Sequence, residues 1–455
     1  MSEHARRVAR VLPAAALAAA LLVLLALAAP ALRGDTAPYA GACAFTRTPH
    51  AYEADAERHA YLEAIEAASA NALFPGSLHF QLPAVETGAR GARSPGPAAL
   101  PPTLLKAIAW VESRMTMAIS GVAFSSSGPA LVSFDCGHGI MQVTTGMTVP
   151  LGIDSPTDRQ ASVATHYAYN IAGGAALLAA KWNEAPERRP VAGTDTGSDP
   201  TLVENWYYAV WGYNGFTGPG SNSSNHPSDP GFGSWPRPAY RCDGNQSRTD
   251  YPYQELVWGC LARPPTLGGA PLWDAIEATL PDLTQPQFFG PLSPAAFAFP
   301  FSAMDIPTPQ PAHADPSPAL GPGFTARFLG APRLAADVRS VSVRLDGTDD
   351  EAHATVIITN PGSGILSWQA IAGADWIVVD PPAGVALGDG VDCSGRECSR
   401  TARLRLTANP TLLPDRHATG PIRLRAANAN VPDITIQFEV DADFEIGAPG
   451  TSRLY

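Results

Sequence analysis

The stretch Leu104-Leu105-Lys106-Ala107-Ile108-Ala109-Trp110-Val111-Glu112-Ser113 places apolar residues three and four apart, which predicts an amphipathic helix over Thr103 to Met117. An acid, Glu112, ends the apolar pattern. Two further helices follow on the same criterion, Arg159 to Trp182 and Leu202 to Tyr213, within a helical core running to about Leu261. Upstream, Ala51 to Leu73 is rich in Ala, Glu and Leu and also reads as a helix. The polar, Gly- and Pro-dense stretches Ala185 to Pro200 and Gly215 to Pro238 are long for turns and read as borders of a groove.

Beyond a Pro-rich segment from Pro281 to Gly323, which reads as a semi-extended linker, the period drops to two. Seven short runs, from Val338 to Leu345 through to Ile434 to Val440, are divided by turns such as Asn360-Pro361-Gly362. That pattern predicts an antiparallel sandwich of immunoglobulin type.

At the other end, Arg6, Arg7 and Arg10 precede an apolar run from Val11 to Leu32, an export signal or membrane anchor. Six cysteines, an even set in an exported chain, point to disulfides rather than metal. Six cysteines allow fifteen pairings and the sequence leaves the connectivity open; the pairs favoured are Cys393 with Cys398, which closes a short loop, and Cys242 with Cys260, with Cys43 and Cys136 then remaining. The net charge of −12 and pI near 5.3 argue against nucleic-acid binding and against bulk attraction to an anionic wall.

Glu112 matters because cleaving a glycosidic bond needs an acid still protonated near neutral pH. An apolar helix end supplies the desolvation that raises a carboxyl pKa. After it come Gly139-Ile140-Met141-Gln142, then Asn170-Ile171-Ala172-Gly173-Gly174-Ala175-Ala176-Leu177-Leu178, then Ala209-Val210-Trp211-Gly212-Tyr213-Asn214-Gly215. In order and spacing this quartet resembles the soluble lytic transglycosylase family over residues 98 to 265. The resemblance implies a lysozyme-like fold and cleavage of the MurNAc to GlcNAc β-1,4 bond of peptidoglycan without cofactor or metal. It implies a single carboxyl, Glu112, acting as acid and then base, while the substrate's N-acetyl group attacks and a 1,6-anhydro ring closes.

Carried over by position, Ser113 orients Glu112 or the acetamido group, or bonds its own backbone. Met141 and Gln142 line the cleft, with Gln142 free to tie backbone instead. Tyr213 aims its hydroxyl at the reacting centre or is held by packing, and Asn214 secures the turn. His138, beside the motif, contacts substrate or serves as a local hydrogen-bonding residue. The segment Ser120 to His138, with Phe134-Asp135-Cys136-Gly137-His138, is longer than the family's. Asp135 and Asp154 are the candidates for the second carboxylate that a hydrolytic muramidase would need. Phe216, Phe232, Trp235 and Tyr240 either stack on sugars or form the core of their loop.

The C-terminal part resembles a BACON-like immunoglobulin-like domain over residues 337 to 441, through Asn360 to Trp368 and Trp376-Ile377. Carbohydrate or protein contact there is an analogy only, and both tryptophans read as core. The expected order is therefore a signal or anchor (1–34), an N-terminal segment (35–97), a mainly α, lysozyme-like domain (98–270), a Pro-rich linker (271–324), an all-β sandwich (325–443) and a tail (444–455). The expected protein is exported and touches membrane only through its N-terminal segment. An inactive lysozyme-like adhesion or scaffold protein is the reading from another functional class.

Overall fold

The computed structural model describes residues 43–148, 156–216, 224–284, 288, 301–320, 326–347, 352–391 and 400–444. The apolar run 11–32, Asp154, and Cys393 with Cys398 lie outside them, and no helix of the described residues is long and apolar enough to cross a membrane.

A strand β1 (His50–Glu53) opens the body, followed by helix α1 (His59–Ser69). The helix expected over Ala51 to Leu73 thus begins as strand and is helical only over His59–Ser69. Its first residues pair antiparallel with β2 (Ser126–Pro129), and Arg58 sits at φ 68 between the two elements. Helix α2 (Pro102–Ser113) carries the deciding stretch. It starts at Pro101-Pro102, where a missing N–H costs nothing, and buries Leu104, Leu105, Ile108, Ala109 and Val111. It stops four residues earlier than Met117, because Arg114 (φ 56) and Met115 (φ 54) both turn left-handed.

The long helix expected from Arg159 to Trp182 is two. Helix α3 (Asp158–Thr165) begins with a Thr157/Gln160 capping box, and α4 (Tyr167–Arg188) begins at an extended His166 whose Nδ1 accepts from the Ala168 N–H at 3.1 Å. Helix α5 (Tyr207–Tyr213) follows a single 3-10 turn over Val203–Trp206, and α6 (Tyr253–Ala262) closes the body. Disulfides join Cys43 to Cys136 and Cys242 to Cys260, with Cα atoms 5.4 and 4.9 Å apart. They fit an oxidising, extracytoplasmic setting.

The sandwich has two sheets. Strands β3 (Ala335–Ala336), β4 (Ser340–Leu345), β5 (His353–Thr359), β6 (Ile365–Ala372), β7 (Ile377–Asp380), β8 (Ala383–Leu387), β9 (Thr401–Ala408), β10 (His417–Ala426) and β11 (Ile434–Ala442) divide between them. One sheet runs β8-β6-β10-β11-β4, with β4 parallel to β11, and the other β7-β9-β5-β3. Side chains alternate out and in along β10 and β11. Trp368 and Trp376 are buried, Trp376 stacking on Phe438 at 5.8 Å, so both fill core.

Two expectations about the architecture fail. Among the described residues helix and strand each make up 25%, and the body mixes six helices with small strands and much irregular chain, so it is not a mainly α lysozyme-like domain. The Ala-rich helical patterns are real but short, and left-handed or extended residues between them break the expected lengths. Nor does a linker hold body and sandwich apart. On β6, Leu366, Trp368 and Ala370 face the sandwich core while Ile365, Ser367 and Gln369 are buried on the other side. There the Ser367 and Thr165 hydroxyls lie 3.0 Å apart, and Gln369 Nε2 donates to Asp158 Oδ1 at 2.6 Å. Much of the Pro-rich segment runs back over the body. Ile306 bridges to Ala192, His313 Nδ1 lies 2.8 Å from Glu204 Oε1, and Asp315 accepts from the Thr103 N–H at 2.7 Å and the Thr103 hydroxyl at 3.1 Å. Asp315 thereby caps α2, whose own N-cap residue, Pro101, makes no side-chain cap bond.

Candidate active site around Glu112

Glu112 sits in the last turn of α2, half-buried, with one edge toward solvent. Tyr253, the first residue of α6, donates its hydroxyl to Glu112 Oε1 at 2.6 Å. Arg248, just upstream, donates to the carbonyl of Val111. Burial pushes the Glu112 carboxyl up to about 7, against the opposing pull of the Tyr253 hydrogen bond and the Arg248 charge; the Asp135 charge adds to the rise. A carboxyl with that pKa exists in both forms near neutrality, as a group that first gives and then takes a proton must. Burial and the neighbouring Glu112 charge hold the phenols of Tyr213 and Tyr253 well above their ordinary range, so both are neutral donors.

The motif Gly139-Ile140-Met141-Gln142 forms the floor behind the acid. Gly139 is left-handed (φ 63), and a Cβ there would lie 2.7 Å from Met117 Sδ and 2.8 Å from Asn170 Nδ2, so only glycine fits. Asn170 on α4 is fully buried. Its Oδ1 accepts from the Met141 N–H at 2.8 Å, and its Nδ2 donates to the carbonyls of His138 at 2.7 Å and Val163 at 3.1 Å. Ser113 Oγ donates to the Ile140 carbonyl at 2.9 Å, and Tyr213 donates to the Met141 carbonyl at 2.7 Å. The end of α2 and the end of α5 are thus each tied to the motif loop by one hydrogen bond, and Asn170 ties α4 to the same loop.

Several expected substrate contacts have other occupations. The Met141 side chain is fully buried against Gly174. Gln142, left-handed at φ 45, turns its amide back to the Gly139 carbonyl at 2.8 Å. His138 is buried with Nδ1 2.8 Å from the Cys136 carbonyl, and burial lowers its pKa to about 4, so it is neutral. Ser113 and Tyr213 both spend their hydroxyls on backbone carbonyls of the motif loop. Asn214 is exposed, with its Oδ1 accepting from Asn225 Nδ2 at 3.0 Å, a contact that secures the turn. Of the loop aromatics, Phe216 packs on Trp211 with centroids 5.1 Å apart. Phe232 and Trp235 flank Arg237, whose guanidinium meets the buried Glu255 in a two-pronged pair at 2.7 and 2.8 Å, and Tyr240 packs on Tyr251.

The partner that sequence reasoning missed is Tyr253. It lies 141 residues from Glu112, at the start of a helix that is buried on all sides, so no periodicity singles it out. Asp135 is exposed on the loop facing the acid; Asp154 is outside the described residues. Away from the site, a cavity of about 570 Å³ is bordered by Tyr52, Asp55, Glu63, Tyr167, Gly364 and Asp389 and contains none of these residues. Asp55, Glu57 and His59 sit close enough to hold a cation, but both Asp55 oxygens already accept from the His59 and Ala60 N–H groups at the start of α1. A helix N-terminus disfavours a cation there.

No family model and no curated protein matches the sequence. Among solved structures, the chain is similar to the Periplasmic Chaperone SfaE (14% identity, 26% of this chain and 61% of that one, TM-score 0.20). It is also similar to a Bacteroides ovatus GH5 xyloglucanase (13% identity, 25% and 19%, 0.17) and to SSP-19 of Caenorhabditis elegans (12% identity, 24% and 98%, 0.17). The chain thus spans less than two thirds of the first two, and TM-scores this low carry no argument about function.

Proposed function

We propose that this exported protein cleaves the MurNAc to GlcNAc β-1,4 bond of peptidoglycan as a lytic transglycosylase, with Glu112 as the acid and then the base. The observation that carries the reading is the Glu112 carboxyl itself, partly open to solvent, raised to about 7 by burial and oriented by the Tyr253 hydroxyl. In the first step protonated Glu112 gives its proton to the leaving glycosidic oxygen while the substrate's acetamido oxygen closes on the anomeric carbon. In the second, the Glu112 carboxylate takes the proton of the muramoyl 6-hydroxyl as that oxygen displaces the acetamido group and forms the 1,6-anhydro ring. Proton and bonds balance with no metal and no second acid.

Hydrolysis by a muramidase is the second reading, favoured by one observation: the Asp135 charge reaches Glu112. Mass spectrometry of digested peptidoglycan separates the two, because transglycosylase products lack one water relative to hydrolysed ones. Hydrated products that disappear in Asp135→Asn would replace the first reading by the second. Sacculi digested as fast by Glu112→Gln as by the parent would sink both.

A further inference from the structure

Phe134 is 94% exposed, the most exposed large apolar side chain among the described residues. Single exposed apolar residues are ordinary on protein surfaces and by themselves mean little. What distinguishes this one is the stiffness of its support and its place.

It stands at the tip of a tight turn. Ser133 N–H donates to the Gly137 carbonyl at 2.9 Å, Cys136 N–H to the Ser133 carbonyl at 3.1 Å, and Gly137 N–H to Ser133 Oγ at 2.8 Å. Below the turn, Val132 bridges to His138 and His138 to Val143, while Cys136 is bonded to Cys43. The base of the turn is closely packed: a Cβ on Gly137 would lie 2.6 Å from Ser133 Oγ and 3.0 Å from Gln142 Oε1. The ring is therefore held out in water by a preorganised scaffold, which removes the ordering cost of binding through it. The base of the turn packs on the motif loop, with Gly137 against the Gln142 side chain, and the carbonyls of Ile140 and Met141 in that loop accept from Ser113 beside Glu112 and from Tyr213, so the turn that carries the ring borders the site.

We infer that Phe134 is a stacking platform for a pyranose ring of the glycan strand, engaging a sugar beside the bond that Glu112 cleaves. A pyranose presents a face of C–H groups that an aromatic ring covers well, while its hydroxyls stay in water. This inference rests on the glycan-cleaving reading, and it explains why the apex of a tight turn beside the motif loop carries an aromatic residue where a polar one would be better solvated.

Binding is tested apart from cleavage by putting Phe134 variants into the Glu112→Gln protein and measuring co-sedimentation with purified sacculi. Phe134→Ala should weaken binding about five- to tenfold, the scale of one aromatic contact, and Phe134→Tyr or Phe134→Trp should restore it. Unchanged thermal melting of Phe134→Ala is expected of so exposed a side chain and separates a binding loss from a folding one. Equal sacculus binding by Phe134→Ala and its parent overturns the platform. So does a loss confined to vesicles of phosphatidylethanolamine and phosphatidylglycerol, which would make the ring a lipid contact. If Glu112→Gln still cleaves at the parent rate, the function falls, while the sedimentation result still decides whether Phe134 holds glycan.

Discussion

Replacing Glu112 by Gln should make the protein more stable than the parent at pH 8 and leave the two nearly equal at pH 4. The Glu112 carboxyl titrates near 4.5 in an unfolded chain and at about 7 in the folded one. Between those values the folded state holds a proton that the unfolded state has released, so the parent loses stability as pH rises through that window and keeps the full loss above it. Gln has no proton to release, and its carbonyl oxygen can still accept from Tyr253. A difference of about 2.5 pH units at about 1.4 kcal/mol each sets a ceiling of roughly 3 kcal/mol. The solvent-exposed edge of Glu112 brings the expected gain down to about 1–2 kcal/mol. Urea unfolding of both proteins at pH 4, 5, 6, 7 and 8 measures it, since every other titrating group is common to the two. A difference that stays flat with pH, or a parent more stable at pH 8, would refute the claim that Glu112 is held in a desolvated site at the expense of folding.

Tyr253→Phe deletes the hydroxyl that favours the charged form of Glu112. The carboxyl should then titrate about one pH unit higher, read by carbon-detected NMR of the Glu112 side chain against the Glu112→Gln spectrum. Asp315→Ala removes the cap of α2 and should lower stability by about 1–2 kcal/mol in chemical unfolding, with Asp315→Asn recovering part of it.

How far the fold could be read varies with the physical range of the cause. The periodicity of Leu104 to Val111 is local and places Glu112 at a helix end, as found. The stop at Arg114 and Met115 is not legible, because neither residue type announces a left-handed backbone. The break at His166 depends on one imidazole accepting from Ala168, an option that composition does not display. Along β6, Ser367 and Gln369 alternate with apolar residues and so look solvent-facing; α3 covers them instead, which only the packed chain reveals. Gly139, Asn170 and Gly174 were legible as a motif, and the structure supplies their causes: close approach, three hydrogen bonds and a seat for Met141. Tyr253 and Arg248 reach Glu112 from far along the chain, beyond anything a local pattern can signal.

The grip of Asp315 on Thr103 crosses 212 residues. During synthesis the helix that carries the acid is therefore made long before its cap exists, and its first turn is finished only when the returning segment has been delivered and laid across the body. A fragment cut at residue 270, where the sequence pattern invites a boundary, would keep every residue of the site and still leave the start of that helix to water. A cut after residue 320 would keep that cap and still uncover α3, whose Thr165 and Asp158 meet Ser367 and Gln369 of β6, so helix cap and sandwich have to be kept together.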